Sequence, residues 1–166
     1  MSVNLRVGRV LRASTRGFDC GTHSRELGPQ HDFGAFVKVP ISNTNDPEGN
    51  IHAVGLIYKV EIKDDQLISE LVLGDEVPEM ILRDQRENRL IPVEVKIVNV
   101  GFMAHGRMIH SLPPRPPMSL ADVELMSREE VYYFTQRADF FRLVLGASEV
   151  PSDDLLAACV NYAALE

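Results

Sequence analysis

At 166 residues, 45% apolar and 25% charged, the chain can bury one good core and a helical satellite, the composition of an ordinary soluble protein. No apolar run approaches the ~18 residues that span a bilayer, and the start Met1-Ser2-Val3-Asn4-Leu5-Arg6 lacks the basic and then hydrophobic pattern of an export signal, so a cytoplasmic protein is expected. The net charge is −7, and residues 118–166 hold 3 Lys+Arg against 9 Asp+Glu, an acidic surface that repels nucleic-acid phosphates.

In chain order, strands come first. Val3, Leu5 and Val7 alternate, and Val10 follows across Gly8-Arg9, a parity jump that predicts a bulge. Arg6, Arg9, Arg12 and Arg16 make a basic strip, either a nucleic-acid contact or the solvated face of a strand. Cys20-Gly21-Thr22-His23 with His31 nearby supplies three zinc-type ligands, but a structural site needs four convergent donors and the paired spacing is missing, so no metal is assigned. The two cysteines, Cys20 and Cys159, lie far apart and form no disulfide framework, as in a reducing compartment. Phe33, Ala35, Val37, Val39 and Ile41 alternate, with Pro40 limiting the strand to an edge or an end. Residues 42–50, rich in Ser, Asn, Asp, Pro and Gly, read as an exposed hairpin loop and a natural contact surface.

Val54, Leu56, Tyr58, Val60 and Ile62 then face one way in a half-buried strand, with Lys59, Glu61 and Lys63 opposite. Pro78 to Asp84 reads as one or two helical turns with proline at the first position. Val93, Val95 and Ile97 alternate until the parity jumps to Val98 and Val100, which predicts a second bulge near Val98. His105 and His110 flank Arg107 in a segment that is either an anion site or a solvated hairpin. Repeated bends of this kind curl a small sheet until its edges meet, so residues 3 to about 112 should form a closed barrel of roughly six strands. Val54, Leu56, Val60, Val93, Val95 and Ile97 are expected inside it.

Pro113-Pro114-Arg115-Pro116-Pro117 stops the β pattern. The expected division is a β-barrel over 1–117 and an acidic helical appendix over 118–166, the whole being mainly β. After a short extended piece at Val123, Ser127-Arg128-Glu129-Glu130 is a capping box. Val131, Phe134, Ala138, Phe141 and Leu145 continue at helical spacing to a stop at Gly146. A second helix, about Ser152 to Leu165, aligns Leu155, Leu156, Cys159, Val160 and Ala163 on one side, which either packs on the chain's own barrel or marks an interface.

Nothing in the chain resembles a complete catalytic centre, so no enzyme activity and no catalytic residue is assigned. None of Lys38, Lys59, Lys63 and Lys96 is preceded by glycine or followed by Ser/Thr, so there is no P-loop and no nucleotide or other cofactor is expected. Asp153-Asp154, in a first helical turn, is explained by the helix dipole.

Taken in order, several β segments carry a family likeness. These are Gly8-Arg9-Val10, Arg16-Gly17-Phe18-Asp19-Cys20, Phe33 to Val39, Val54 to Val60, Val93 to Gly101 and the closing Pro113 to Pro117. Over about two thirds of its length the chain resembles the HAS-barrel family, the N-terminal barrel of HerA-type helicase-translocases and ATP synthase. The resemblance implies a six-stranded barrel that precedes a ring-forming ATPase, packs with neighbouring barrels into a collar and offers a docking face to partner proteins. It carries no active-site residue, because that barrel is not itself catalytic. Met118-Ser119 departs from the glycine that relatives tend to have after the last proline. The expected role is a stand-alone adaptor that self-associates or docks on a protein partner, a motor ATPase or nuclease of DNA processing. Two alternatives stand beside it. One is a small nucleic-acid-binding barrel using the Arg6 to Arg16 strip and exposed aromatics such as Phe36; the other is a small metal-dependent enzyme using Cys20, His23 and His31, or His105 and His110.

Overall fold

A computed structural model describes residues 5–41, 51–63, 66–74, 76–88 and 90–165, the side chains of 66–68 excepted. Val3 and the polar loop 42–50 lie outside these residues. The strands are β1 (Arg6–Ala13), β2 (Gly17–His23), β3 (Phe36–Pro40), β4 (His52–Ile62), β5 (Pro92–Ala104), β6 (Arg107–Ile109) and β7 (Asp122–Leu125). They pair in the order β2-β1-β7-β3-β4-β5-β6, and an additional antiparallel pairing of β2 with β5, from Gly17 opposite Val98 to His23 opposite Pro92, closes six of them into a barrel. β6 extends the wall as a hairpin on β5, turning through His105 and Gly106, both at positive φ as a tight two-residue turn requires. The sixth barrel strand is β7, from beyond the proline stop, so barrel-forming residues continue past the boundary expected at 117. A strand is needed there because β1 and β3 would otherwise each expose an edge, and β7 pairs with both.

The bulge expected in β1 is present, whereas the jump at Val98 is a change of face: Val93, Val95 and Ile97 enter the barrel, Val98 and Val100 enter the outer core, and the irregularity of β5 lies at Val100. In β1, Val7 and Val10 both enter the barrel core although three residues apart, and pairing shifts occur between Arg6 and Gly8 and between Val10 and Arg12. On the β4–β5 ladder, Val54 faces Gly101 but Gly55 faces Asn99, and a second shift lies between Ile57 and Lys59.

Two cores share the wall formed by β3, β4 and β5. Inside the barrel lie Val37, Val39, Ala53, Ile57, Val93, Val95 and Ile97, with Val60 partly buried against them. Outside it, Phe36, Val54, Leu56, Val98 and Val100 are buried beneath helices. Val54 and Leu56 are thus corrected from interior to exterior positions. Both faces of β4 are apolar, so alternation separates the two faces without telling which encloses the barrel. Gly55 takes the inward position beside them, where a Cβ would collide with Ile97.

The helical part holds three helices rather than two: α3 (Arg128–Phe134), α4 (Phe141–Leu145) and α5 (Ser152–Leu165), after α1 (Gln66–Leu73) and α2 (Glu79–Asn88) between β4 and β5. The run expected from Ser127 to Leu145 breaks after Phe134. Thr135 ends α3, its hydroxyl donating to the Val131 carbonyl at 2.7 Å. The break lets Phe134 and Phe140 both meet the Phe36 ring edge-on, each with centroids 6.0 Å away. At the other end of this core, Gly34 (φ +90°) brings the barrel backbone against α5, where a Cβ would lie 2.7 Å from that of Ala158. Phe33, expected in β3, precedes this turn and is exposed.

Candidate functional site

The four arginines of the basic strip diverge in their partners. Arg6 and Arg9 reach the same Asp122 carboxylate on β7, at 3.7 and 3.4 Å. Arg12 binds Asp19 on β2 at 2.6 Å and also Glu94 on β5. Glu94 is buried and takes a second cation, Lys63, at 2.9 Å; hydrogen bonds from Lys63 and Arg12 hold its carboxyl down at about 2. Asp19 likewise takes Lys96 at 3.4 Å. Only Arg16 has no carboxylate among the described residues, and it contacts the Gly146 carbonyl at 3.5 Å. Three of the four guanidiniums therefore bind acids of neighbouring strands, which leaves a phosphate backbone little positive charge to recognise. Phe36, offered as a stacking aromatic, is fully buried in the outer core, a correction that follows from its being covered by α3 and the segment leading to α4.

The metal-type residues are likewise dispersed in role. Cys20 lies in the barrel core, where burial pushes its thiol up to about 12. His31 is buried with Nε2 2.7 Å from the Val7 carbonyl and Nδ1 accepting the Gly28 amide at 3.2 Å, so both ring nitrogens have backbone partners. His23 contacts Glu26 at 3.7 Å. Among the described residues, no three His, Cys, Asp or Glu side chains are grouped to hold a metal ion. His105 and His110 also part company. His105 sits in the exposed hairpin turn, whereas His110 stacks on Phe134 at 4.4 Å with Nε2 2.9 Å from the Phe134 carbonyl, burial lowering its pKa.

The α5 stripe divides. Leu155 and Cys159 are buried in the outer core of this same chain, and Leu156 and Ala163 pack partly against it. Val160 is 49% exposed on the rim of an apolar groove that also meets Phe140, Phe141 and Ala164.

Further apolar exposure lies elsewhere, on α1 and α2. No described side chain of either helix is buried, and Val72, Leu73 and Met80 are 76%, 81% and 80% exposed. Ile81 and Leu90 add to the same segment. Sequence reasoning placed a turn or two of helix at Pro78 and did not register α1. The signal was there in Leu67, Leu71, Ile68 and Val72, two pairs at i, i+4 spacing. Among the described residues, no helix is long and apolar enough to cross a membrane. No protein-family model matches the chain, and no curated protein is significantly similar to it.

Proposed function

We propose that this chain is a non-catalytic barrel module of HAS-barrel type that docks on a partner protein, a motor ATPase or nuclease of DNA processing, or on copies of itself. The observation that carries the reading is the α1–α2 segment, which presents Val72, Leu73, Met80 and Ile81 to solvent from between two barrel strands. Covering four such side chains yields up to about 6–12 kcal/mol, of the same order as the about 4–15 kcal/mol that association costs. A closed six-stranded barrel is the fold that the family resemblance implies, and it supports the reading. The acid partners of Arg6, Arg9 and Arg12 weigh against the nucleic-acid alternative.

Light scattering on the intact chain, combined with affinity capture and reconstitution from purified components, tests this. The expected result is a species larger than the monomer, or a complex with an ATPase or nuclease, that Leu73→Asp and Met80→Asp dissociate without lowering the melting temperature. A strict monomer at tens of micromolar whose reconstituted complexes all survive both substitutions would overturn the proposal.

A further inference from the structure

His110, directly after β6, is tied to two helices at once. Its ring Nε2 lies 2.9 Å from the carbonyl of Phe134, the last residue of α3, and its own carbonyl accepts from Arg142 of α4 at 2.7 Å. The ring packs on Phe134 with centroids 4.4 Å apart and meets Phe140 edge-on at 5.3 Å. Those two rings cover Phe36, so His110 stands where the β5–β6 hairpin meets the aromatic centre of the outer core.

The hydrogen bond fixes the tautomer. A carbonyl only accepts, so Nε2 carries the proton and Nδ1 of the neutral ring is the bare acceptor. Nδ1 is sealed from solvent and has no hydrogen-bond partner among the described residues. A second proton can go only there, where it would make a buried, charged N–H donor with no acceptor to meet it.

The charges around the ring do not reverse this. Burial lowers the pKa of His110 most, the Phe134 carbonyl and Asp139 favour the cation, and Arg137 and Arg142 oppose it, with a net shift downward. Asp139 is itself held by Arg137 at 2.5 Å. The ring has a way out, because the residue is only half-buried.

We propose that His110 is a proton-operated latch on the outer core: neutral, it holds α3 and α4 to the barrel hairpin; protonated, it turns out to water and releases the α3–α4 corner, baring Phe134 and Phe140. The sign follows from the linkage. A histidine whose folded pKa lies below its ordinary 6.5 gives its full stabilisation above that value, and the stabilisation declines as pH falls below it. Release therefore belongs to mild acid, whereas Glu130, held below 4.5, titrates at lower pH.

Amide exchange of the intact ¹⁵N-labelled protein at pH 7 and pH 5, expressed as protection factors, tests this together with a proton titration of the His110 ring. The reporters are the Thr135 amide, bonded to Val131 in α3, and the Gly146 amide, bonded to Arg142 in α4; the Ile57 amide, bonded to Ala35, reports on the barrel. Protection of Thr135 and Gly146 should fall about tenfold from pH 7 to pH 5 while that of Ile57 holds, and the ring should titrate below 6.5. His110→Gln keeps an N–H donor for the Phe134 carbonyl but cannot titrate, so its protection should not change between these pH values. Any of four results would overturn the proposal: a ring that titrates at or above 6.5, unchanged protection of Thr135 and Gly146 in the wild type, an equal loss at Ile57, or the same loss in His110→Gln. Docking through α1–α2 is read separately by light scattering, so failure of one leaves the other standing.

Discussion

Glu130 and Lys38 join the start of α3 to the barrel wall through one carboxylate. Lys38 Nζ donates to Glu130 Oε1 at 2.6 Å, while Glu130 Oε2 accepts the Ser127 amide at 2.8 Å and Ser127 Oγ accepts the Glu130 amide at 3.2 Å. A capping box that would act only within its own helix is thereby anchored on β3, two residues from Phe36, whose ring the same helix covers.

This arrangement has a pH signature. Burial alone would raise the Glu130 carboxyl, but the hydrogen bonds from Lys38 and Ser127 outweigh it and hold the group below its ordinary 4.5. A carboxyl depressed in the folded state stabilises above its unfolded pKa, and that stability is lost as pH falls through the folded value. Urea unfolding of Glu130→Gln should show a loss of about 0.5–2 kcal/mol at pH 7. The difference from wild type should shrink on acidification below about pH 4. A variant that stays equally destabilised down to pH 3 would show that the charge has no part in the link.

Glu94 gives a second, lower window. Hydrogen bonds from Lys63 and then Arg12 bring it to about 2, so its contribution is fully present above the unfolded value of 4.5 and disappears only as pH approaches 2. The melting temperature of wild type should therefore decline between these values, and Glu94→Gln should start lower at neutral pH and decline less. Identical acid limbs for the two proteins would contradict the assignment.

Gly34 decides how α5 meets the barrel. At φ +90°, with the Ala158 Cβ 2.7 Å from where its own would be, any larger residue is both strained and obstructed. Gly34→Ala should cost about 1–3 kcal/mol. Amide exchange should accelerate in α5 before it does in β4 and β5; uniform acceleration would mean that the turn serves the barrel as a whole.

Two thiols report on the same boundary. Burial raises Cys20 to about 12 and Cys159 to about 11, and both are essentially inaccessible. In the native protein near pH 8, neither should react at an appreciable rate with an aromatic disulfide reagent, and both should react in urea. In Gly34→Ala, Cys159 should become reactive ahead of Cys20, because the first lies in the outer core and the second inside the barrel. Rapid reaction of Cys20 in the wild type would show that the barrel opens.

The sequence by itself determined the local periodicities. Alternation around Gly8 and through Val93 to Val100 announced curved strands, and Ser127 to Glu130 announced a helix start, because both depend on neighbours within a few residues. Which apolar face would be enclosed was settled only in three dimensions. Val54 and Leu56 alternate as an interior row would, yet they lie outside the barrel under Phe134 and Phe140, and a strand apolar on both faces carries no local mark of which cover it will receive. The basic strip shows the same limit in electrostatics: Arg12 meets Glu94 across 82 positions of sequence, and Arg6 and Arg9 meet Asp122 on a strand that lies beyond the four prolines of the stop, too far along the chain for any local pattern to bridge. Charge that reads as a patch along the chain is neutralised when strand pairing brings distant acids beside it, since Coulomb attraction depends on separation in space and not on separation in sequence.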